Sequence, residues 1–129
     1  MRSKEIFKAA RGEILRMTLT GEDGNLTVYR DADGWTSADE NFEADSDKIV
    51  SAISYLDPMR CTDFLDSAPR AEPAWVLSVE TNDGNSSIEI WPKEGDRYPA
   101  RSSQNGYPVL ITTYVAENLL KAFGVAFSE

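Results

Sequence analysis

Ile14-Leu15-Arg16-Met17-Thr18-Leu19-Thr20, then Glu22-Asp23-Gly24-Asn25, then Leu26-Thr27-Val28-Tyr29-Arg30: this stretch reads as a β-hairpin. Leu15, Met17 and Leu19 alternate with Arg16, Thr18 and Thr20, the period-two pattern of a half-buried strand. Asp23-Gly24-Asn25 supplies residues that tolerate the positive φ of a tight turn. Asp31-Ala32-Asp33-Gly34 makes another turn, and Trp35-Thr36 begins a third strand. Asp45 then suits a helix N-cap, with Ser46 and Asp47 in the first turn. Ile49, Ala52, Ile53 and Leu56 fall on one apolar helix face, and Pro58 ends the helix.

The same order of events returns downstream. Trp75, Leu77 and Val79 alternate with Val76, Ser78 and Glu80, Thr81-Asn82-Asp83-Gly84-Asn85 turns, and Ser87-Ile88-Glu89-Ile90-Trp91 runs back. Arg97 to Arg101 and Val109-Leu110-Ile111 read as two further strands. Thr112 or Thr113 caps a last helix with Ala116, Leu119, Leu120 and Phe123 on one face, and Gly124 suits its C′ position. Aligning Asp23-Gly24-Asn25 on Asp83-Gly84-Asn85 puts Leu15 on Trp75, Met17 on Leu77 and Val28 on Ile88. We read an internal duplication, against the plainer alternative of two independent hairpin–helix units, since Asp-Gly turns are common.

The expected fold is α+β: two tandem antiparallel meander–helix units, each helix laid on its own sheet in two layers. Residues 1–12 form an N-terminal extension, 13–65 the first unit, 66–73 a linker with Pro69 and Pro73, and 74–129 the second unit, in one compact domain. Ile6, Phe7 and Ala10 suggest a short helix over residues 3–11. If the duplication is real, Leu15 and the aligned Trp75 should both be buried. One continuous sheet and two packed lobes are equally compatible with the pattern.

The ordered set resembles the DUF4340 family of bacterial domains of unknown function. It runs from Ile14-Leu15-Arg16-Met17-Thr18-Leu19 through Asp23-Gly24, Gly34-Trp35, Ala44-Asp45 and Asp63-Phe64-Leu65. It continues through Leu77-Ser78-Val79, Asp83-Gly84, Tyr98-Pro99-Ala100-Arg101 and Gly106-Tyr107-Pro108-Val109. The resemblance implies an accessory domain without established catalytic residues, often anchored in the envelope and accompanying ABC transporters. It implies an extracytoplasmic location for a domain excised from an anchored chain; a full native chain without an anchor is instead expected in the cytoplasm.

Composition narrows function. The 129 residues include no histidine, which removes the commonest general base and metal ligand. Cys61 is the single cysteine, so no intramolecular disulfide or thiolate zinc site is expected, and a buried structural role suits it. The net charge of −9 favours solubility and disfavours a nucleic-acid backbone or an anionic membrane. No apolar run reaches spanning length, and the first residues do not form a secretory signal.

Asp31, Asp33, Asp39, Glu40 and Glu43 form an acidic stretch without Lys or Arg. It suits a docking surface for a basic protein partner, or DNA mimicry. Asp31-Ala32-Asp33-Gly34 resembles part of a calcium loop but lacks the further ligands and the closing Glu. Trp35, Trp75, Trp91, Tyr98 and Tyr107 offer either a ligand groove or core. Ser67, Ser102 and Ser103 have no histidine to activate them, and no phosphate-binding loop exists. The expectation is a non-enzymatic, cofactor-free interaction domain with a protein partner. The alternative is a small-ligand or ion-binding module built on the acidic turn or the aromatic residues.

Overall fold

The computed structural model describes residues 5–8, 13–21, 24–31, 34–38, 46–56, 59–67, 69–70, 72–82, 84–104, 106 and 108–123. Ten strands and two helices are placed among them. In chain order they are β1 (Glu5–Phe7), β2 (Ile14–Gly21), β3 (Gly24–Asp31), β4 (Gly34–Ser37) and α1 (Ser46–Ser54). There follow β5 (Met59–Arg60), β6 (Asp63–Phe64), β7 (Trp75–Thr81), β8 (Gly84–Ile90), β9 (Arg97–Ser102), β10 (Pro108–Thr112) and α2 (Thr113–Lys121).

Eight strands form one antiparallel sheet in the order β4-β3-β2-β7-β8-β9-β10-β6, and β1 pairs with β5 in a separate ribbon. This corrects the expected balanced α+β arrangement with a helix on each unit's own sheet. The described chain is mostly β, and each helix is only nine residues long. The reason lies in the centre of the sheet. β2 and β7, the first strands of the two meanders, pair with each other from Thr20↔Val76 to Ile14↔Thr81. Joining the meanders satisfies backbone groups that two separate sheets would leave as open edges. One continuous sheet is therefore the outcome.

The strand alternation sets the buried face. Met17, Leu19, Val28, Leu77, Val79 and Ile88 are buried on one side of the sheet. They share a single core cluster with Ile49, Ala52 and Ile53 of α1 and Ala116, Leu119 and Leu120 of α2. Leu56 and Phe123, the last members of the two helical stripes, are also buried. α1 touches α2 and β4, whereas α2 touches β9 and β10. Thr112 is the N-cap of α2, its hydroxyl accepting from the Val115 N–H at 3.2 Å. The expected caps Asp45 and Gly124, and the stop at Pro58, lie outside the described residues.

Three local readings are overturned. Ile6 and Phe7 belong to a strand rather than a helix, and both are buried against the core by pairing with β5. Leu15 is exposed, because the β2–β7 register shifts between Ile14 and Arg16. Ile14 is opposite Thr81 and Arg16 is opposite Glu80, so Leu15 is the extra residue of a bulge. Ile14 takes the buried position instead, at 0% exposure. Trp75, aligned with Leu15, is only partly buried, packed on the margin of the core.

At one margin the sheet ends in the two-residue β6, and at the other in the four-residue β4. Outside β10, the Thr62 N–H donates to the Leu110 carbonyl at 2.8 Å and the Leu65 N–H to the Pro108 carbonyl at 2.9 Å. Outside β4, the Trp35 N–H donates to the Ser46 hydroxyl at 3.3 Å. Pro99 sits inside β9 opposite Trp91, just past the end of β8, and has no N–H to return a ladder bond there. Its carbonyl still accepts from the Trp91 N–H at 2.9 Å.

Candidate functional site

The other face of the sheet is polar, and its centre is a shallow cleft of about 460 Å³. The residues lining it are the polar partners of the hydrophobic alternation. Thr27 is opposite Thr18, Thr18 is opposite Ser78, and Ser78 is opposite Ser87. Ser103 extends the line: its N–H donates to the Ser87 carbonyl at 2.9 Å, and its hydroxyl accepts from the Ser87 N–H at 2.9 Å. One small hydroxyl residue per strand thus crosses five neighbouring chain segments. At about 4.8 Å between strands, four intervals make a row roughly 19 Å long.

Longer side chains flank this floor, and of these Arg16 and Glu80 line the cleft. Two residues along each strand, Tyr29, Arg16 and Glu80 stand in register on one side. Val76, Glu89 and Arg101 stand in register on the other. Arg16 pairs with Glu80 at 3.0 Å, and Arg101 pairs with Glu89 through Nη2 at 2.8 Å and Nε at 2.9 Å. Each of these cations is therefore balanced by its own carboxylate. Both pairs lie at the surface, where they set local charge more than stability. Within the floor, the Thr18 and Thr27 hydroxyls are 3.0 Å apart and share a hydrogen bond. Tyr29 leaves 40% of its surface exposed on the same face.

The two hairpins share one register. A shift of 60 residues carries the pair Met17↔Val28 onto Leu77↔Ile88, and Gly21↔Gly24 onto Thr81↔Gly84. The same shift carries Thr18 onto Ser78 and Thr27 onto Ser87, so the hydroxyl floor is built from equivalent positions of both hairpins.

The predicted sites fare differently. Asp33, Asp39, Glu40 and Glu43 lie outside the described residues, and Asp31 is placed only as the last residue of β3, opposite Gly34. Among the described residues, no group of three or more His, Cys, Asp or Glu is arranged to hold a metal ion. Four of the five aromatic candidates lie among the described residues. Trp35 and Tyr98 are in the core, and Trp75 meets Tyr98 with ring centroids 6.3 Å apart. Trp91 is buried outside the core cluster, with the Arg101 guanidinium 5.6 Å from its ring centre. Tyr107 lies outside the described residues. Of the serines, Ser102 is fully buried and its hydroxyl accepts from the Gln104 N–H at 3.1 Å, while Ser103 reaches the cleft. Cys61 is buried, as its type and neighbours suggest.

Two tyrosines have raised pKa values. Burial, and next the hydrogen bond from its hydroxyl to Glu117 Oε2 at 2.8 Å, push Tyr98 up to about 12. A hydrogen bond with Tyr114, then burial, raises Tyr55. Their rings meet edge-on at 5.8 Å, and Tyr114 is 67% exposed.

Sequence reasoning passed over the hydroxyl floor because it followed the apolar half of the alternation. The signal was present in Thr18 and Ser78, and in Thr27 and Ser87, which occupy matching places in the two hairpins. Among the described residues, no helix is long and apolar enough to cross a membrane. The DUF4340 resemblance rests on its sequence motifs alone. Comparison with family models, curated proteins and solved structures found no match.

Proposed function

We propose that this chain is a non-enzymatic binding domain whose working surface is the open face of the eight-stranded sheet. The observation that carries this reading is the cleft of about 460 Å³ floored by an in-register row of hydroxyl residues. Hydroxyls both donate and accept, so such a floor suits a ligand rich in both kinds of group. No nucleophile–base pair accompanies the floor among the described residues, so the arrangement favours holding a ligand over transforming it. The test is retention. Wild type and Ser78→Gln, which fills the floor, are immobilised and exposed to source-cell extract, and bound protein and bound carbohydrate are both measured. Material held by wild type and lost from Ser78→Gln supports the reading; identical retention overturns it.

A second reading is favoured by a different observation. Tyr114 projects from α2 at 67% exposure, braced edge-on by Tyr55. Tyrosine is enriched in protein interfaces, and bracing reduces the entropy cost of docking. In this reading the chain is an accessory domain that docks a protein partner through the tyrosine pair. The envelope location and transporter association implied by the DUF4340 motifs belong to it. Tyr114→Ala should then abolish capture of that partner, and unchanged capture removes this reading.

A further inference from the structure

We propose that the hydroxyl floor is the binding site for a linear, neutral glycan laid across the strands. The inference rests on the open face being the working surface and names the chemical class of its ligand. Three features of the cleft select that class.

The first is periodicity. Thr27, Thr18, Ser78, Ser87 and Ser103 repeat once per chain segment, about 4.8 Å apart. An extended chain of hexoses offers hydroxyls at a similar repeat, so successive sugars meet successive strands. A helix or an extended peptide has no matching row of hydroxyl groups.

The second is charge. Arg16 is held by Glu80 and Arg101 by Glu89, so the flanks present balanced pairs. The net charge of the chain is −9. A phosphate-bearing chain needs unpaired cations to replace its counterions, and none is found among the described residues lining this floor. A neutral chain incurs no such penalty.

The third is the mixture of surfaces. Protein interfaces concentrate aromatic residues and Arg at their centre and are depleted in Ser. Here the centre is Ser and Thr, and the aromatic residue lies beside the floor, next to the lining Arg16. Tyr29, exposed and opposite Arg16, offers a flat ring against which the C–H face of one sugar stacks. Hydroxyls beneath and a ring beside match the polar edge and apolar face of a hexose.

The experiment is an amide-resolved NMR titration of the whole chain with cellohexaose, maltohexaose and chitohexaose, with linear polyphosphate as the anionic control. At least one hexasaccharide is expected to shift the amides of Thr18, Thr27, Ser78 and Ser87 and to saturate. Ser78→Gln and Tyr29→Ala are each expected to weaken that binding about tenfold or more. Thermal unfolding of both variants, close to wild type, shows that they remain folded; Tyr29→Ala leaves the floor itself intact. No shifts with any neutral hexasaccharide, shifts only with polyphosphate, or equal affinity in both variants would overturn the proposal. If the retention experiment shows Ser78→Gln losing a polypeptide rather than carbohydrate, the open face remains the working surface and the glycan assignment falls. If it loses nothing, both fall.

Discussion

The side chain of Gln104 pairs with the backbone of Lys8 as a neighbouring strand would. Gln104 Oε1 accepts from the Lys8 N–H at 2.9 Å, and Gln104 Nε2 donates to the Lys8 carbonyl at 3.0 Å. Lys8 directly follows β1, so one amide side chain fastens the first strand to the turn after β9 across 96 residues of sequence. Both bonds lie at the surface, where each contributes about 1 kcal/mol net. Gln104→Ala should destabilise the fold by about 1–2 kcal/mol. Hydrogen exchange at Ile6 and Phe7 should accelerate more than exchange at Leu77; uniform acceleration would show that the clamp is not local.

Gly34 and Gly84 separate two costs of adding a side chain. Both have positive φ, +128° and +137°, so alanine strains either backbone. A Cβ at Gly34 would also lie 2.8 Å from the Ser46 hydroxyl, whereas a Cβ at Gly84 meets nothing within 4 Å. Gly84→Ala should cost about 1–2 kcal/mol, and Gly34→Ala more, about 2–3 kcal/mol. Denaturant midpoints of the two variants give the comparison.

The bulge at Leu15 predicts opposite fates for adjacent residues. Leu15→Lys should change stability by no more than about 0.5 kcal/mol, because the side chain already faces solvent. Ile14→Lys places an unpaired ammonium in the core and should prevent folding. Circular dichroism with thermal melting distinguishes the two; similar behaviour would mean that the register does not shift there.

Tyr98 makes stability fall at alkaline pH. Its pKa is about 12 in the folded chain against an ordinary 10.0. The folded state keeps a proton that the unfolded chain releases, so the contribution is complete below pH 10 and is lost as pH rises through about 12. Tyr98→Phe should flatten the stability profile in that window, at the cost of the hydrogen bond to Glu117 below it. Urea midpoints measured across the window should converge between wild type and variant; parallel profiles would contradict the shift.

The α2 cap gives a local test. Thr112→Ala removes the acceptor for the Val115 N–H and should cost about 1 kcal/mol, while Thr112→Ser should restore most of it. Equal losses in the two variants would remove the cap from the account.

Local chemistry was legible in the sequence. The alternation identified Met17, Leu19, Leu77 and Val79 as core, and the helical spacing identified Ile49, Ala52, Ile53 and Leu56. The Asp-Gly turns placed both hairpins. These readings hold because a strand or helix fixes the repeat of its own side chains, and burial selects apolar residues at that repeat. The partnership of β2 with β7, the pairing of β1 with β5, the extra residue at Leu15 and the row from Thr27 to Ser103 belong to the tertiary structure alone. Strand pairing joins backbone groups that are chemically the same at nearly every residue. Which distant segment supplies the partner depends on how the whole core closes. That closure joined the two meanders into one sheet, and brought the polar residues of separate hairpins into one line.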